Sequence, residues 1–161
     1  QLIVCAVSSG EKAVSSRAGM RRSAETSPFY SAWVESHELD LRAAVDALEA
    51  RSLSTLGPLI EHSTFKMHAC MWASRPPLRY LRGESVALLD LVESLRQQGL
   101  ELWATMDAGP HVKVLCHRRD AERVREAIVA SALCLKIYML RPGPGLQLAE
   151  RSSFEFGEEK R

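Results

Sequence analysis

The alternation of apolar and polar positions predicts a strand, several helices, a strand-turn-strand unit, a further helix and a last strand. The run LIVCAVS, residues 2 to 8, is continuously apolar, which is typical of a strand paired on both sides. The other strands are predicted over 101 to 106, 111 to 117 and 134 to 140. Between the predicted strands 101 to 106 and 111 to 117, Asp-Ala-Gly-Pro is a chain reversal.

Helical spacing accounts for most of the remaining chain. A short helix is expected after Ser15 and Ser16, with a serine as its N-cap. Residues 27 to 52 favour one long helix or two with a break near His37, starting at Ser27 and Pro28. Further helices are predicted from about Ser54 to Ala73, from Ser85 to a stop at Gly99, and from Asp120.

This order of elements favours an α+β, ferredoxin-like fold with a four-stranded antiparallel sheet and helices on one face. Residues 1–145 are expected to form the domain, and residues 146–161 a mobile polar tail. The chain does not begin with Met, so we expect a fragment or a processed product. Many functions use this layout, and the fold alone selects none of them.

Composition narrows the classes of partner. The net charge is +1, which gives no global field for nucleic acid or a membrane surface. No apolar run approaches the roughly 20 residues that span a bilayer. The amino-terminal stretch lacks the basic region of a signal peptide. We therefore expect neither nucleic acid nor membrane as a partner.

The cysteines and histidines predict no metal site. No C-x-x-C, H-x-x-x-H or H-E-x-x-H pattern occurs. Apolar surroundings instead indicate buried thiols in a reducing compartment, which favours the cytoplasm. The cysteines are Cys5, Cys70, Cys116 and Cys134.

Residues 11 to 22 carry a basic cluster at the start of a predicted helix. Lys12, Arg17, Arg21 and Arg22 outnumber the single acid Glu11. Free amides, the helix dipole and a guanidinium together make such a helix start suitable for an anion. Residue chemistry alone nevertheless favours a capped surface helix with solvated arginines.

Asp107 also has two interpretations. An acid before Ala-Gly-Pro usually accepts hydrogen bonds from the amides of the turn, and residue chemistry favours that role. Alternatively, the rigid turn projects the carboxylate towards a ligand, as a base or as the group that orients a hydroxyl.

In residues 65 to 81, methionines at helical spacing are typical of core packing. His68 is predicted to be a satisfied packing histidine rather than a catalytic one. Pro76, Pro77 and Tyr80 favour a rigid connector. No P-loop and no G-x-G-x-x-G motif occurs.

Three stretches, in this order, resemble the carboxy-terminal half of diphosphomevalonate decarboxylases of the GHMP kinase superfamily. They are VSSRAGMRRSAETSPFYSAWV, FKMHACMWASRPPLRYL and TMDAGPHVKVL. The resemblance runs from about Leu2 to Ala130. It rests on the motifs S-S-x-x-G-M followed by E-T-S, M-H-A, P-P-x-x-Y-L and D-A-G-P.

The resemblance implies the ATP- and Mg²⁺-dependent conversion of mevalonate 5-diphosphate to isopentenyl diphosphate, ADP, phosphate and CO₂. By the same resemblance, Asp107 lies at the tertiary 3-hydroxyl, and Ala108 lines that turn. Ser16 and Arg17 are implied as contacts to substrate phosphate or carboxylate, and Met20 as a packing contact.

The resemblance also has two departures and several open alternatives. His111 stands where the family usually has Asn. The phosphate-binding loop of the family belongs to the amino-terminal half, so the chain is expected to need that ATP-binding domain, and a homodimer is implied. The alternatives are a superfamily relative that phosphorylates or decarboxylates mevalonate or its monophosphate, and a non-catalytic ligand-binding or dimerisation module.

Overall fold

The computed structural model describes residues 1–10, 12–143 and 145, and the predicted tail, residues 146–161, lies outside them. The elements, in chain order, are β1 Leu2–Ala6, α1 Ser16–Thr26, α2 Tyr30–Glu49, α3 Leu53–Trp72, α4 Gly83–Gln97, β2 Leu102–Thr105, β3 Val112–Cys116, α5 Ala121–Ala130 and β4 Lys136–Leu140. None of the helices in these ranges is long and apolar enough to cross a membrane.

The four strands form one sheet in the order β2-β3-β1-β4, and each neighbouring pair is antiparallel. In the centre, Ile3 of β1 lies opposite Val114 of β3 and Met139 of β4. Burial alternates along β1, β2 and β3, as expected of strands whose side chains point to opposite faces. The predicted α+β fold with a four-stranded antiparallel sheet is confirmed.

Helices α4 and α5 cover one face of the sheet and form the main core. Leu88, Val92, Val124 and Ile128 are at most 1% exposed and pack against the inward residues of the strands. Burying a side chain of this size stabilises the fold by about 1.5–3 kcal/mol. The main core is therefore built from the residues that the strand and helix periodicities mark as apolar.

Helix α3 does not lie on that face, so the prediction of helices on one face holds only for α4 and α5. Helix α3 packs against β2, and α2 packs against α3. At Gly57, the indole of Trp103 occupies the space that a Cβ would need. Arg96 of α4 lies over the same indole, with its guanidinium carbon 4.1 Å from the ring centroid. Trp103 is thus held between two helices.

Side chains of α3 also bind the outer edge of β2. The amide of Ala104 donates to Glu61 Oε1 at 3.1 Å, and the amide of Met106 donates to Thr64 Oγ1 at 3.2 Å. Arg96 forms an ion pair with Glu61 at 3.1 Å, which holds that carboxylate in place. These contacts satisfy the amide of Ala104 in β2 and that of Met106 just after it, on the side where β2 has no neighbouring strand.

Helix α2 is continuous through His37, which confirms the alternative of one long helix. Some element boundaries differ from the predictions, and α2 begins at Tyr30 rather than at Ser27. Ser27 instead ends α1. Ser85 lies inside the first turn of α4, where its hydroxyl accepts from the amide of Arg82 at 3.1 Å. Gly99 follows α4 with φ of +90°, as its predicted role as a helix stop requires.

Candidate active site

Two of the sequence motifs meet at the start of α1. Ser15 caps the helix by accepting from the amide of Ala18 at 3.2 Å. The hydroxyl of Tyr80 donates to the carbonyl of Val14 at 3.1 Å. It can do so because Gly19 has no Cβ, which would lie 2.5 Å from that hydroxyl oxygen. Gly19 and Tyr80 together therefore fix the backbone next to the serine pair.

The second half of α1 is tied to the end of α3. The hydroxyls of Ser23 and Ser74 lie 3.0 Å apart and are both buried. The amide of Arg75 donates to Thr26 Oγ1 at 2.8 Å. Helix α1 and the end of α3 are therefore two walls at a fixed spacing.

The Asp-Ala-Gly-Pro turn is held from both sides. Inside the turn, the amide of Gly109 donates to the carbonyl of Asp107 at 2.7 Å. The fully buried hydroxyl of Ser85 donates to the carbonyl of Pro110 at 2.6 Å. Lys12 donates to the carbonyl of Ala108 at 2.5 Å. The turn is a rigid mount for whatever side chain it presents.

Lys12 also donates to Ser16 Oγ at 3.1 Å, so its ammonium joins the turn to the first residue of α1. In the sequence, Lys12 appeared only as one cation among several near a helix start. Its position four residues before Ser16 was the available signal, but the contact with Ala108 depends on the tertiary fold.

A cleft of about 400 Å³ opens between α1, α2, α3 and the turn. Of the predicted site residues, Ser16, Met20, Asp107 and Ala108 line it together. Arg17 does not line this cleft. It lies at a second depression of about 440 Å³, whose basic side chains are Arg17, Arg21, Arg22 and Arg75.

Most of the cleft wall is apolar or aromatic. Its further lining residues are Ser23, Tyr30, Trp33, Met67, Cys70 and Met71. The rings of Tyr30 and Trp33 are 5.7 Å apart, centroid to centroid. Sequence reasoning assigned the methionines to core packing and did not single out these two rings, because both also fit the apolar pattern of a helix.

Asp107 presents its carboxylate at the mouth of the cleft. The side chain is 70% exposed, and Oδ2 lies 3.2 Å from the ammonium of Lys113. Among the hydrogen bonds of the described residues, none joins this carboxylate to an amide of the turn, which is closed by backbone atoms. The chemistry available to Asp107 is therefore that of an accessible, ion-paired proton acceptor.

His68 lies deep in α3 and is 3% exposed. Its predicted burial is confirmed, but neither ring nitrogen has a hydrogen-bond partner among the described residues. Burial lowers the pKa of the imidazole, and the backbone and carboxylate of nearby Asp107 oppose this only in part. His68 is therefore a neutral imidazole near the turn.

His111, which follows the turn, has a structural partner. Its Nδ1 accepts from the amide of Val7 at 3.4 Å, just beyond the end of β1. The imidazole thereby satisfies a backbone donor that the sheet leaves free.

The four cysteines are free thiols, and three of them are buried. Burial raises the pKa of Cys116 and Cys134, which disfavours their thiolates. Within residues 1–10, 12–143 and 145, no group of three or more His, Cys, Asp or Glu side chains could hold a metal ion.

Residues 2–138 match the family model described as the mevalonate 5-diphosphate decarboxylase C-terminal domain. A diphosphomevalonate decarboxylase from Ganoderma lucidum is 26% identical over 135 residues, which are 79% of this chain and 34% of that protein. The chain thus spans about a third of the length of this curated relative.

The chain is also similar to solved structures of decarboxylases. The mevalonate pyrophosphate decarboxylase from Streptococcus pyogenes aligns at 33% identity with a TM-score of 0.79, covering 85% of this chain and 42% of that one. MDDEF in complex with MVAPP, AMPPCP and magnesium aligns at 34% identity with a TM-score of 0.78, covering 84% of this chain and 42% of that one.

Proposed function

The chain belongs to the mevalonate 5-diphosphate decarboxylase family, whose C-terminal domain it matches, and we propose that it supplies the catalytic aspartate of such an enzyme. The reaction converts mevalonate 5-diphosphate and ATP to isopentenyl diphosphate, ADP, phosphate and CO₂. The observation that carries this proposal is the cleft in which Asp107, on a rigid turn, faces Ser16 and Met20 on α1.

Asp107 is the proton acceptor in this proposal. A tertiary alcohol is a poor nucleophile, so a carboxylate that accepts the proton of the 3-hydroxyl as the phosphoryl group arrives assists the transfer. The exposed carboxylate and the hydrogen bonds that hold its turn support this role. Phosphate and CO₂ then leave together, and the double bond forms from the electrons of the broken carbon–carbon bond.

The anionic groups of the substrate would lie towards the start of α1. Ser16 and Lys12 offer a hydroxyl and an ammonium that already lie 3.1 Å apart. Arg17 directly follows Ser16 in the first turn of the same helix and adds a guanidinium at the second depression. Charge-assisted contacts of this kind bind phosphate or carboxylate strongly.

The apolar wall supports the later loss of CO₂. Met20, Met67, Met71 and Trp33 line the cleft and suit the methyl and methylene carbons of the substrate. Such a lining keeps water from the reacting carbon atoms and strengthens the electrostatic contacts of the cleft.

ATP and Mg²⁺ would be held mainly by the N-terminal half. In the described residues of this chain, Asp107 is the one carboxylate that lines the cleft, and no cluster of metal ligands occurs. The related MDDEF structure is a complex with AMPPCP and magnesium, which supports their use by the family. We also propose a cytoplasmic location, in keeping with the four free thiols, and a homodimer, which the family resemblance implies.

The test uses the complete enzyme, in which this chain is joined to its N-terminal half. Purified protein receives ATP, Mg²⁺ and either mevalonate 5-diphosphate or mevalonate monophosphate, and released CO₂ and phosphorylated products are measured. We expect CO₂ with the diphosphate. Phosphorylated product without gas would identify a kinase relative, and no turnover of either compound would favour a non-catalytic binding module.

Replacing Arg17 by Ala tests the proposed anion contact. We expect KM for mevalonate 5-diphosphate to rise about tenfold or more, since a charge-assisted hydrogen bond is lost, while kcat changes less. Arg42→Ala, on the exposed part of α2, is the matched control. An unchanged KM in Arg17→Ala would remove this residue from the site.

A further inference from the structure

Lys113 is the charged neighbour of the Asp107 carboxylate. Its ammonium lies 3.2 Å from Oδ2, and the lysine side chain is 26% exposed whereas that of the aspartate is 70% exposed. No other ion pair to Asp107 occurs among the described residues within 4.0 Å. The ammonium therefore reaches the carboxylate from the protein side, and solvent reaches it from the other.

Lys113 lies on a strand that is paired on both sides. In β3, it lies between Thr105 of β2 and Val4 of β1, and both neighbours are paired with it. Thr105 is itself joined to Thr64 of α3, hydroxyl to hydroxyl, at 3.2 Å. A side chain on such a strand is a fixed point from which a carboxylate on a neighbouring turn can be held.

The pairing uses only one of the two carboxylate oxygens. Oδ1 lies on the Gly109 side, 3.3 Å from the place where a Cβ of Gly109 would stand. Cε and Nζ of Lys12 lie 3.4 and 3.5 Å from the same place, so Lys12 is the other side chain that borders this region. Oδ2 is engaged by the ammonium, so Oδ1 is the oxygen available to a hydroxyl.

We propose that Lys113 is a positioning residue, which anchors Oδ2 of Asp107 so that Oδ1 is held ready to accept the proton of the substrate hydroxyl. This rests on the proposed function. The lysine does not touch the reacting atoms. It acts by restricting the rotation of the carboxylate.

Three charged or titratable groups lie near Asp107. They are Lys113 on β3, Lys12 before α1, and His68 on α3. Among the described residues, Lys113 alone forms an ion pair with the carboxylate. Removing its ammonium should lower kcat more than it raises KM, which a purely structural ion pair remote from the chemistry would not cause.

The experiment compares Lys113→Met, Lys113→Arg and Lys136→Met in the complete enzyme. Lys136 is the matched control because it lies on the same sheet face and contacts the ring of Tyr138 instead of a carboxylate. For Lys113→Met we expect kcat to fall on the order of 10- to 100-fold, with KM changed less than about threefold.

Lys113→Arg should recover most of kcat, and Lys136→Met should match the wild type. A Lys113→Met enzyme with wild-type kcat would overturn the inference. Failure of the wild type to release CO₂ would instead overturn the proposed function. In that case ¹³C NMR relaxation of the Asp107 side chain still decides the anchoring: greater side-chain mobility in Lys113→Met supports it, and equal mobility overturns it.

Discussion

At the scale of single residues, backbone atoms close the turn at Asp107, so its carboxylate is not needed to bind the amides of the turn. Sequence reasoning favoured a side chain that accepts from the amides of the turn, the usual role of an acid before Ala-Gly-Pro. Here the amide of Gly109 bonds to the carbonyl of Asp107 instead. The ion pair with Lys113 could not be predicted, since it depends on which face of β3 meets the turn.

Asp107→Asn should abolish most of the turnover. The amide is nearly isosteric, so the cleft keeps its shape, but it cannot accept the proton. We expect kcat to fall by on the order of 10²- to 10⁴-fold and KM for mevalonate 5-diphosphate to change little. Steady-state kinetics of CO₂ release measure both, with the exposed Asp90→Asn on α4 as control. Full activity in Asp107→Asn would refute the role of the base.

The buried imidazole of His68 makes stability depend on pH. Its pKa in the folded protein lies below the ordinary value of 6.5. Above pH 6.5 the imidazole is neutral in both states, and its contribution to stability is fully present. As pH falls through 6.5, the unfolded chain binds the proton first, so the free energy of unfolding decreases until the folded pKa is reached.

His68→Gln should therefore flatten the acid side of the stability profile. The slope of the free energy of unfolding against pH should decrease by at most about 1.4 kcal/mol per pH unit. Urea unfolding at about pH 7.5 and about pH 5.5 gives the difference for each protein. His62→Gln, on the exposed face of the same helix, should keep the wild-type slope. Equal slopes for wild type and His68→Gln would contradict a buried neutral imidazole.

At the scale of elements, distant motifs serve one geometric purpose. The glycine of S-S-x-x-G-M and the tyrosine of P-P-x-x-Y-L are 61 positions apart, yet the first makes room for the second. Their contact fixes the backbone before Ser16, and Ser85 and Lys12 fix the turn that carries Asp107. The walls of the cleft are therefore positioned by residues that do not themselves line it.

Gly19→Ala should separate these two motifs. A Cβ at this position lies 2.5 Å from the Tyr80 hydroxyl, so the ring has to move and its hydrogen bonds to Val14 and Ser15 are lost. We expect a loss of about 1–3 kcal/mol in stability and a higher KM. Tyr80→Phe, which removes only the hydroxyl, should cost about 0.5–1.5 kcal/mol. Thermal unfolding measures the loss of stability in both variants. A Gly19→Ala protein as stable as the wild type would show that the Tyr80 ring moves without an energetic cost.

At the scale of the whole molecule, the main core and the cleft are separate apolar clusters. The main core lies between the sheet and α4 with α5, whereas Met71, Leu78 and Tyr80 form a small cluster beneath the cleft. The stability of the domain should therefore depend mainly on the first cluster.

Leu88→Ala tests this division, since Leu88 is 0% exposed in the main core. We expect a loss of about 2–5 kcal/mol in the free energy of unfolding. Val86→Ala, two residues away on α4 and 46% exposed, should cost less than about 1 kcal/mol. Urea denaturation measures both, and similar losses would mean that α4 is not anchored through Leu88.

Local patterns predict much of this architecture because apolar spacing encodes what each element buries. The strands and the starts of α1 and α5 follow from such spacing and from their caps. The predicted start of α2 was wrong because Ser27 ends the preceding helix, α1. The place of α3 could not be predicted, because it depends on Glu61 and Thr64 meeting strand amides about 40 residues away.

For the candidate site, the motifs identified Ser16, Met20, Asp107 and Ala108, which the cleft does bring together. Arg17 lies beside that cleft rather than in it, since successive residues of a helix point about 100° apart. Lys12 and Lys113 meet their partners only through tertiary contacts. The sequence therefore shows their charge but does not predict which groups they bind.

The amides that α3 occupies on β2 have a consequence for association between chains. A sheet with two open edges can add strands without limit, and this is how fibres grow. Here Glu61 and Thr64 block one edge, and in the described part of the chain β4 lies at the other. Within the described residues, edge-to-edge pairing can therefore join two molecules through β4, while the occupied edge at β2 offers no place for a third.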